Sequence, residues 1–322
     1  MRAVGFYEYG PAHVLQVLDL PELNAGQGEV RVKVHAAAIN PTDILSRTGA
    51  RRAPMGKTDA YANKQIADCP PYVPGMDIAG IVDQVGDGVE TGVNVGDSVV
   101  AMVVPKGAHG GYREQIVLKA NAVVPAPSVS NHVEACTLPM NALTARLSLD
   151  LLNLKAGQTL AVTGAAGAYG GYIIQLAKTE GLQVIADASD RDRELVVSLG
   201  ADLVLPRGDN IAQSIREHFP KGVDGLADGA VQNDLVVDAV KDGGAFTAVR
   251  GYDGVPQRNL NFTQTWVRSY DGQFEKLSAL VKLVDDKKLT LRVADVFSPE
   301  DASIAHSRLE AGGTRGRLVL KF

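Results

Sequence analysis

The chain has 322 residues, 45% of them hydrophobic and 21% charged, which is enough for two domains with separate cores. A formal net charge of −5 without a basic stripe excludes a nucleic-acid or anionic-membrane surface as an expectation. No apolar run approaches the roughly 20 residues that cross a bilayer, the start MRAVGFYEYG lacks a secretory pattern, and Cys69 and Cys136 are too few for a disulfide framework, so a cytoplasmic protein is expected.

The first third reads as β-rich. Residues 30–39 alternate apolar and polar as a half-buried strand does, and 78–85, 97–102 and 112–118 are further short strands. Turns at Gly86-Asp87-Gly88 and Val95-Gly96-Asp97 separate them, as in a small barrel-like unit. Residues 51–70 are polar, proline-bounded and without period, a long loop that is either a lid or an insertion. After a link at 121–129 carrying Pro125 and Pro127, residues 141–152 have helical spacing. Strands at 159–163, 183–187, 203–205, 225–227 and 245–249 then alternate with helices at 168–180, 191–199, 211–218 and 233–240. Such alternation predicts a parallel sheet with helices on both faces. Residues 258–267 are an apolar-alternating segment, either a dimer-forming edge or an internal strand. A helix at 274–284 and a strand, helix and strand over 289–322 complete the chain.

The most informative segment runs from Leu160 to Gly171, where a short strand enters a glycine-rich turn and then a helix. Gly164, Gly167 and Gly170 recur every three residues, with Ala165 and Ala168 between them and Tyr169 before the last. Missing side chains let the backbone approach a pyrophosphate, whose charge is met by free amides and the helix dipole. The second strand tells which nicotinamide is expected. An acid at its end would bind the ribose 2′-hydroxyl of NAD; here that place falls on Ala188, followed by Ser189, with Arg191 and Arg193 just beyond. Guanidinium suits a 2′-phosphate, so NADPH is expected. A slip of one register would make Asp187 the NAD-type acid, and both arginines could equally be solvated.

Several segments together are similar to the quinone oxidoreductase branch of the medium-chain dehydrogenase/reductase superfamily. They are Ile39-Asn40-Pro41-Thr42-Asp43, Pro74–Gly80 as PGMDIAG, Gly110–Glu114 as GGYRE, Leu138–Ala145 as LPMNALTA, the glycine turn, and Gly313–Leu320 as GTRGRLVL. The resemblance implies an α/β chain with a GroES-like partial β-barrel interrupted by a Rossmann doubly wound parallel sheet. Its expected boundaries are 1–124 for the first part of the catalytic domain, 125–270 for the dinucleotide-binding domain and 271–322 for the linking helix and return. It also implies roles: Asn40 and Thr144 beside the nicotinamide, Gly167, Ala168 and Tyr169 at the pyrophosphate, and Ser189 and Arg193 at the 2′-phosphate. Arg207 stands where relatives often carry a tyrosine beside the adenine, and Arg250 and Gly251 fall near the nicotinamide ribose.

Zinc enzymes of that superfamily need a cysteine before the early Thr-Asp and a histidine-glutamate after the glycine; Pro41 and Met76-Asp77 hold those places, and neither proline nor methionine suits Zn²⁺. No metal is therefore expected, and His109 reads as a loop histidine. The expected activity is metal-free hydride transfer from NADPH to a quinone or α,β-unsaturated carbonyl, in a homodimer. No proton donor stands out; Tyr112 is either a donor or, from its Gly-Gly-Tyr context, structural, and Tyr61 would need the long loop to fold over the cleft. An enoyl-thioester reductase is the enzymatic alternative, with Arg47, Arg51, Arg52 and Lys57 either serving a carrier at the rim or merely solvated. A non-catalytic NADPH-binding sensor or structural protein is the other.

Overall fold

The computed structural model describes residues 1–50 and 69–322. Strands β1 (Arg2–Gly5) and β2 (Gln16–Asp19) pair antiparallel as a small ribbon. Then β3 (Glu29–Ala38) buries Val30, Val32, Val34 and Ala36 on alternate positions, the period-2 pattern of the sequence. It leads into α1 (Pro41–Arg47), a short helix that the sequence left unassigned. The start signal is local: Pro41 takes the first helical position and the Asp43 carboxylate accepts from the Asn40 amide at 2.9 Å. Strands β4 (Asp77–Val85), β5 (Ser98–Met102), β6 (Gln115–Lys119) and β7 (Val123–Pro125) follow. The expected strand at 112–118 starts late, because Tyr112 and Arg113 lie in a bend that Arg113 ties to Ala3.

Short α2 (His132–Ala135) and the buried α3 (Pro139–Leu152) lead to the alternating region. It comprises β8 (Thr159–Thr163), α4 (Ala168–Thr179), β9 (Gln183–Ala188), α5 (Arg193–Ser198), β10 (Leu203–Pro206), α6 (Ile211–His218), β11 (Val223–Asp228), α7 (Asp234–Val237), β12 (Val240–Ala248) and β13 (Asn261–Gln264). The helix expected at 233–240 stops at Val237 because Val240 pairs with Val223 and is drawn into the sheet. The chain ends with α8 (Phe274–Asp285), β14 (Val293–Phe297), α9 (Ala302–Glu310) and β15 (Arg317–Lys321).

All pairings in the six-stranded sheet, β10-β9-β8-β11-β12-β13, are parallel. One face packs Leu160, Val162 and Val184 against Leu149, Ile173 and Leu176 of α3 and α4. The other packs Ala161, Ile185 and Leu226 against Ile211, Ile215 and Val236 of α6 and α7. A doubly wound sheet results, with β13 at its edge. The second large sheet runs β14-β15-β3-β4-β5-β7, with β6 also on β3. Strands β14 and β15 come from the end of the chain, so the C-terminal segment returns to the sheet that the N-terminal third began. Val32, Ile78, Tyr112, Ile116 and Leu318 fill its core. Among the described residues no helix is long and apolar enough to cross a membrane.

Candidate functional site

The parallel strands end together, and their carboxyl ends carry most of the residues that the sequence singled out. After β8, Gly164 takes φ +66°, where a side chain would be strained. A Cβ on Gly170 would lie 2.4 Å from the Gly164 carbonyl oxygen and 2.7 Å from the Ala165 Cα, so only glycine lets α4 start this close to the strand. Gly167 caps α4 without a side chain. Among the described residues the first-turn amides, from Ala168 and Tyr169 onward, thus have no side-chain cap and suit an anion. Glycine cradle and uncapped helix both fit a dinucleotide pyrophosphate. Tyr169 can offer only its main chain there, because its hydroxyl is 2.7 Å from Ser148 Oγ, which continues to Thr265 and Thr247 in the interior. Arg292 steadies the turn from outside, donating to the carbonyls of Ala166 (3.1 Å) and Gly167 (2.6 Å). The sequence reading had overlooked it.

At the end of β9, Ala188 is the last strand residue and pairs with Pro206. Asp187 is buried, and its carboxylate accepts from the Ala165 amide at 2.9 Å. Burial raises its pKa against that hydrogen bond and the Arg207 charge. Half-buried Ser189 donates to Asp192, Arg191 is exposed, and exposed Arg193 reaches the Val204 carbonyl at 3.0 Å. Arg207, also exposed, follows β10 and donates its amide to the Ala188 carbonyl at 3.0 Å. Beyond β12, Arg250 and Gly251 turn the chain with φ +68° and +77°. At the end of β11, Asp228 accepts from the Thr163 hydroxyl (2.5 Å) and the Asn233 amide (2.7 Å), a brace between two strand ends that no motif announced.

At the start of α1, Asn40 is fully buried. Its amide group donates to Asp77 Oδ2 (2.9 Å), while its Oδ1 accepts from Arg317 (2.8 Å) and Asn141 (3.1 Å). Asp77 also takes the Met140 amide at 2.6 Å and pairs with Arg317 at 2.8 Å. The knot therefore ties β3, β4 and β15 to α3, which carries Thr144. That threonine's hydroxyl back-bonds to the Met140 carbonyl at 2.6 Å. Below Asn40, the Asp43 carboxylate receives the amides of Asn40 and Gly75 and the Tyr112 hydroxyl, at 2.9, 3.0 and 3.0 Å. Burial nevertheless pushes its pKa up to about 6. The Tyr112 hydroxyl also lies 3.3 Å from His306 Nε2, and burial plus the Arg47 charge hold that histidine neutral, down to about 3. Tyr112 is thus a buried structural group.

Arg47 corrects an expectation. Neither at a carrier-binding rim nor solvated, it is buried, donating to the Gly10 carbonyl at 3.0 Å and to Glu310. Its helix position on α1, facing α9, explains the burial. His109 lies in a loop, half-buried, 3.1 Å from the Val117 carbonyl. Met76 is buried and Asp77 is committed to Arg317; among the described residues no three His, Cys, Asp or Glu side chains group as a metal site. Arg51, Arg52, Lys57 and Tyr61 lie outside the described residues, as does most of the 51–70 loop.

Known proteins share this arrangement. The model of the alcohol dehydrogenase GroES-like domain matches residues 26–128, and that of zinc-binding dehydrogenases matches 199–320. The chain is 33% identical over 316 residues to the chloroplastic NADPH-dependent alkenal/one oxidoreductase of Arabidopsis thaliana, covering 92% of this chain and 76% of that one. It is 29% identical to the quinone oxidoreductase of Mus musculus, over 99% of this chain and 97% of that protein. A crystal structure of an NAD-dependent alcohol dehydrogenase matches all of both chains with a TM-score of 0.86 at 29% identity. With the two sheets and the glycine cradle, these likenesses make the chain an oxidoreductase that works with a nicotinamide cofactor on a small molecule, and it belongs to the quinone oxidoreductase branch of the medium-chain dehydrogenase/reductase superfamily.

Proposed function

We propose that the protein reduces a quinone or an α,β-unsaturated carbonyl with NADPH and without a metal ion. The observation that carries the cofactor reading is the end of β9, where Ala188 takes the position of an NAD-type acid and Asp187 is turned into the glycine turn. Ser189 and Arg193 follow on the chain as groups for the 2′-phosphate, with Arg207 at the next strand end. Gly164, Ala165, Gly167, Ala168 and Tyr169 would hold the pyrophosphate through the backbone, and Asn40, Thr144, Arg250 and Gly251 the nicotinamide half. The bound cofactor supplies hydride. The chain's own part is to hold the acceptor about 3–3.5 Å away and to exclude water. A metal-free route is supported by the side chains themselves, since Pro41 and Met76 offer no hard donor and Asp77 already neutralises Arg317. Conjugate reduction fits, because hydride goes to an activated carbon and solvent can supply the proton. The proposed units are 1–124 with 271–322 around the first sheet, and 125–270 around the parallel sheet.

The test follows reduced-nicotinamide absorbance with NADPH and NADH against panels of quinones, enones and enoyl thioesters. Fast oxidation of NADPH by quinones or enones, with NADH much slower, is expected. Turnover of thioesters alone would replace the substrate class, and tight NADPH binding without turnover would make the protein a binder. Among the described residues β13 is the last strand of the parallel sheet, and this edge supports a homodimer joined strand to strand; a monomeric mass in sedimentation at micromolar concentration would refute it.

A further inference from the structure

Three cationic or hydroxylic groups converge on one carboxylate oxygen at the end of β9. Asp192 Oδ2 accepts from the Ser189 hydroxyl and from Arg315 Nη2 at 2.6 Å, and Arg191 Nε lies 3.9 Å away. Arg315 Nε completes a bidentate pair on Oδ1 at 2.5 Å. Arg315 does not belong to the parallel sheet at all. It precedes β15, so the residue comes from the segment that returns to the other sheet. We propose that Arg315 recognises the 2′-phosphate of NADPH, and that Asp192 is an internal competitor which the phosphate displaces from Arg315 and Ser189. This rests on the NADPH reading above.

The chemistry follows from geometry and charge. A guanidinium fork binds a carboxylate and a phosphate in the same bidentate way. Asp192 presents one negative charge to the donors, and a ribose 2′-phosphate presents up to two with three oxygens. Ser189, which the sequence alone assigns to the phosphate, is already donating to Asp192, so the phosphate must compete for that hydroxyl and for the arginine on the same oxygen. The pair is firmly set: the Arg315 hydrogen bonds hold the Asp192 carboxyl down at about 2, ionised at any working pH. An ionised carboxylate beside an incoming phosphate also repels it. Asp192 thus lowers affinity twice, by occupying the donors and by its charge, while it keeps Arg315 aimed at the strand end. Because Arg315 reaches over from the other sheet, engaging the phosphate would also fasten the two halves of the cleft together.

The experiment measures binding of 2′,5′-ADP and 5′-AMP to the full chain by calorimetry, in the wild type, Asp192→Asn, and Asp192→Asn with Arg315→Gln. The wild type is expected to prefer 2′,5′-ADP. Asp192→Asn should tighten 2′,5′-ADP several-fold and leave 5′-AMP unchanged. Adding Arg315→Gln should weaken 2′,5′-ADP by roughly tenfold or more relative to Asp192→Asn, again sparing 5′-AMP. Retained 5′-AMP binding shows that each variant is folded. Equal wild-type affinity for the two fragments would defeat the NADPH reading itself. A wild-type preference that survives loss of Arg315, or a weakening of both fragments alike, would overturn only the role of Arg315. Weaker 2′,5′-ADP binding in Asp192→Asn would overturn the competitor.

Discussion

Around Asn40, the side chains of Asp43, Asp77, Arg317 and Tyr112 are buried and satisfy one another. At the carboxyl ends of the parallel strands, Arg191, Arg193, Arg207 and Arg250 are exposed. The two regions are built by opposite means. In the first, desolvation makes every polar group costly unless a partner is fixed in place, so geometry and stability are one property. In the second, helix amides and solvated cations wait for a charge from outside, and stability hardly depends on them. Damage to the first should therefore appear as unfolding, and damage to the second as lost affinity.

The largest effect is expected from cutting the Asp77–Arg317 pair. Arg317→Ala leaves a buried carboxylate with two amide partners and no cation, and the loss should be about 3–5 kcal/mol in urea unfolding. Replacing both at once, as Asp77→Leu with Arg317→Met, should recover much of that, since an apolar pair leaves no stranded charge. A loss below about 1 kcal/mol for the single variant would mean that water reaches the knot and that the two regions are not so different.

Protonation gives the comparison a sign. Asp43 has its pKa raised by burial to about 6, above its ordinary value of 3.8, so the folded state holds the proton more tightly. Its contribution to stability is complete below pH 3.8 and is lost as the pH rises through 6, a change on the order of 2–3 kcal/mol. Asp192 is shifted down to about 2, chiefly by Arg315; its contribution is present above pH 3.8 and is lost as the pH falls toward 2. Comparing Asp43→Asn and Asp192→Asn with wild type in pH-dependent urea unfolding should remove slopes of opposite sign in these two windows. The same sign for both would contradict the assigned environments.

Gly170→Ala joins stability to binding. Its methyl would sit 2.4 Å from a backbone oxygen that cannot step aside, and overpacking of this kind costs about 1–3 kcal/mol. The strain falls on the turn itself, so NADPH affinity in a fluorescence titration should drop about tenfold or more while most of the fold survives. An unchanged affinity would show that the cradle is not where the pyrophosphate lies.

These residues also mark what the sequence discloses. The glycine turn is local, so its spacing alone announces strand, cradle and helix within twelve letters. Strand–helix alternation and the return of the chain's end were legible for the same reason, periodicity and motif order being properties of short stretches. The knot was not. Tyr112 meets Asp43 across 69 residues and His306 across 194, and Arg317 meets Asp77 across 240. Nothing near any of them says that they touch. Arg315 and Asp192 are 123 residues apart and equally silent. Only Asn40-Pro41-Thr42-Asp43 held a readable signal, a helix start left unassigned because the helix is short.

The smallest effect is expected at Arg193, and it probes the open region most directly. Its guanidinium is exposed and already donates to the Val204 carbonyl, so a 2′-phosphate would share rather than capture it. Exposed charge pairs of this sort are worth about 0.2–1 kcal/mol. Arg193→Gln should therefore raise the KM for NADPH only about two- to fivefold, leave that for NADH unchanged, and flatten the salt dependence of NADPH binding. A loss of thirtyfold or more would mean that the phosphate is desolvated against Arg193, so that this end of the cleft also works by burial. No change at all would leave Arg193 as a strut between α5 and β10, and the selectivity for phosphate would rest on Ser189 and its neighbours.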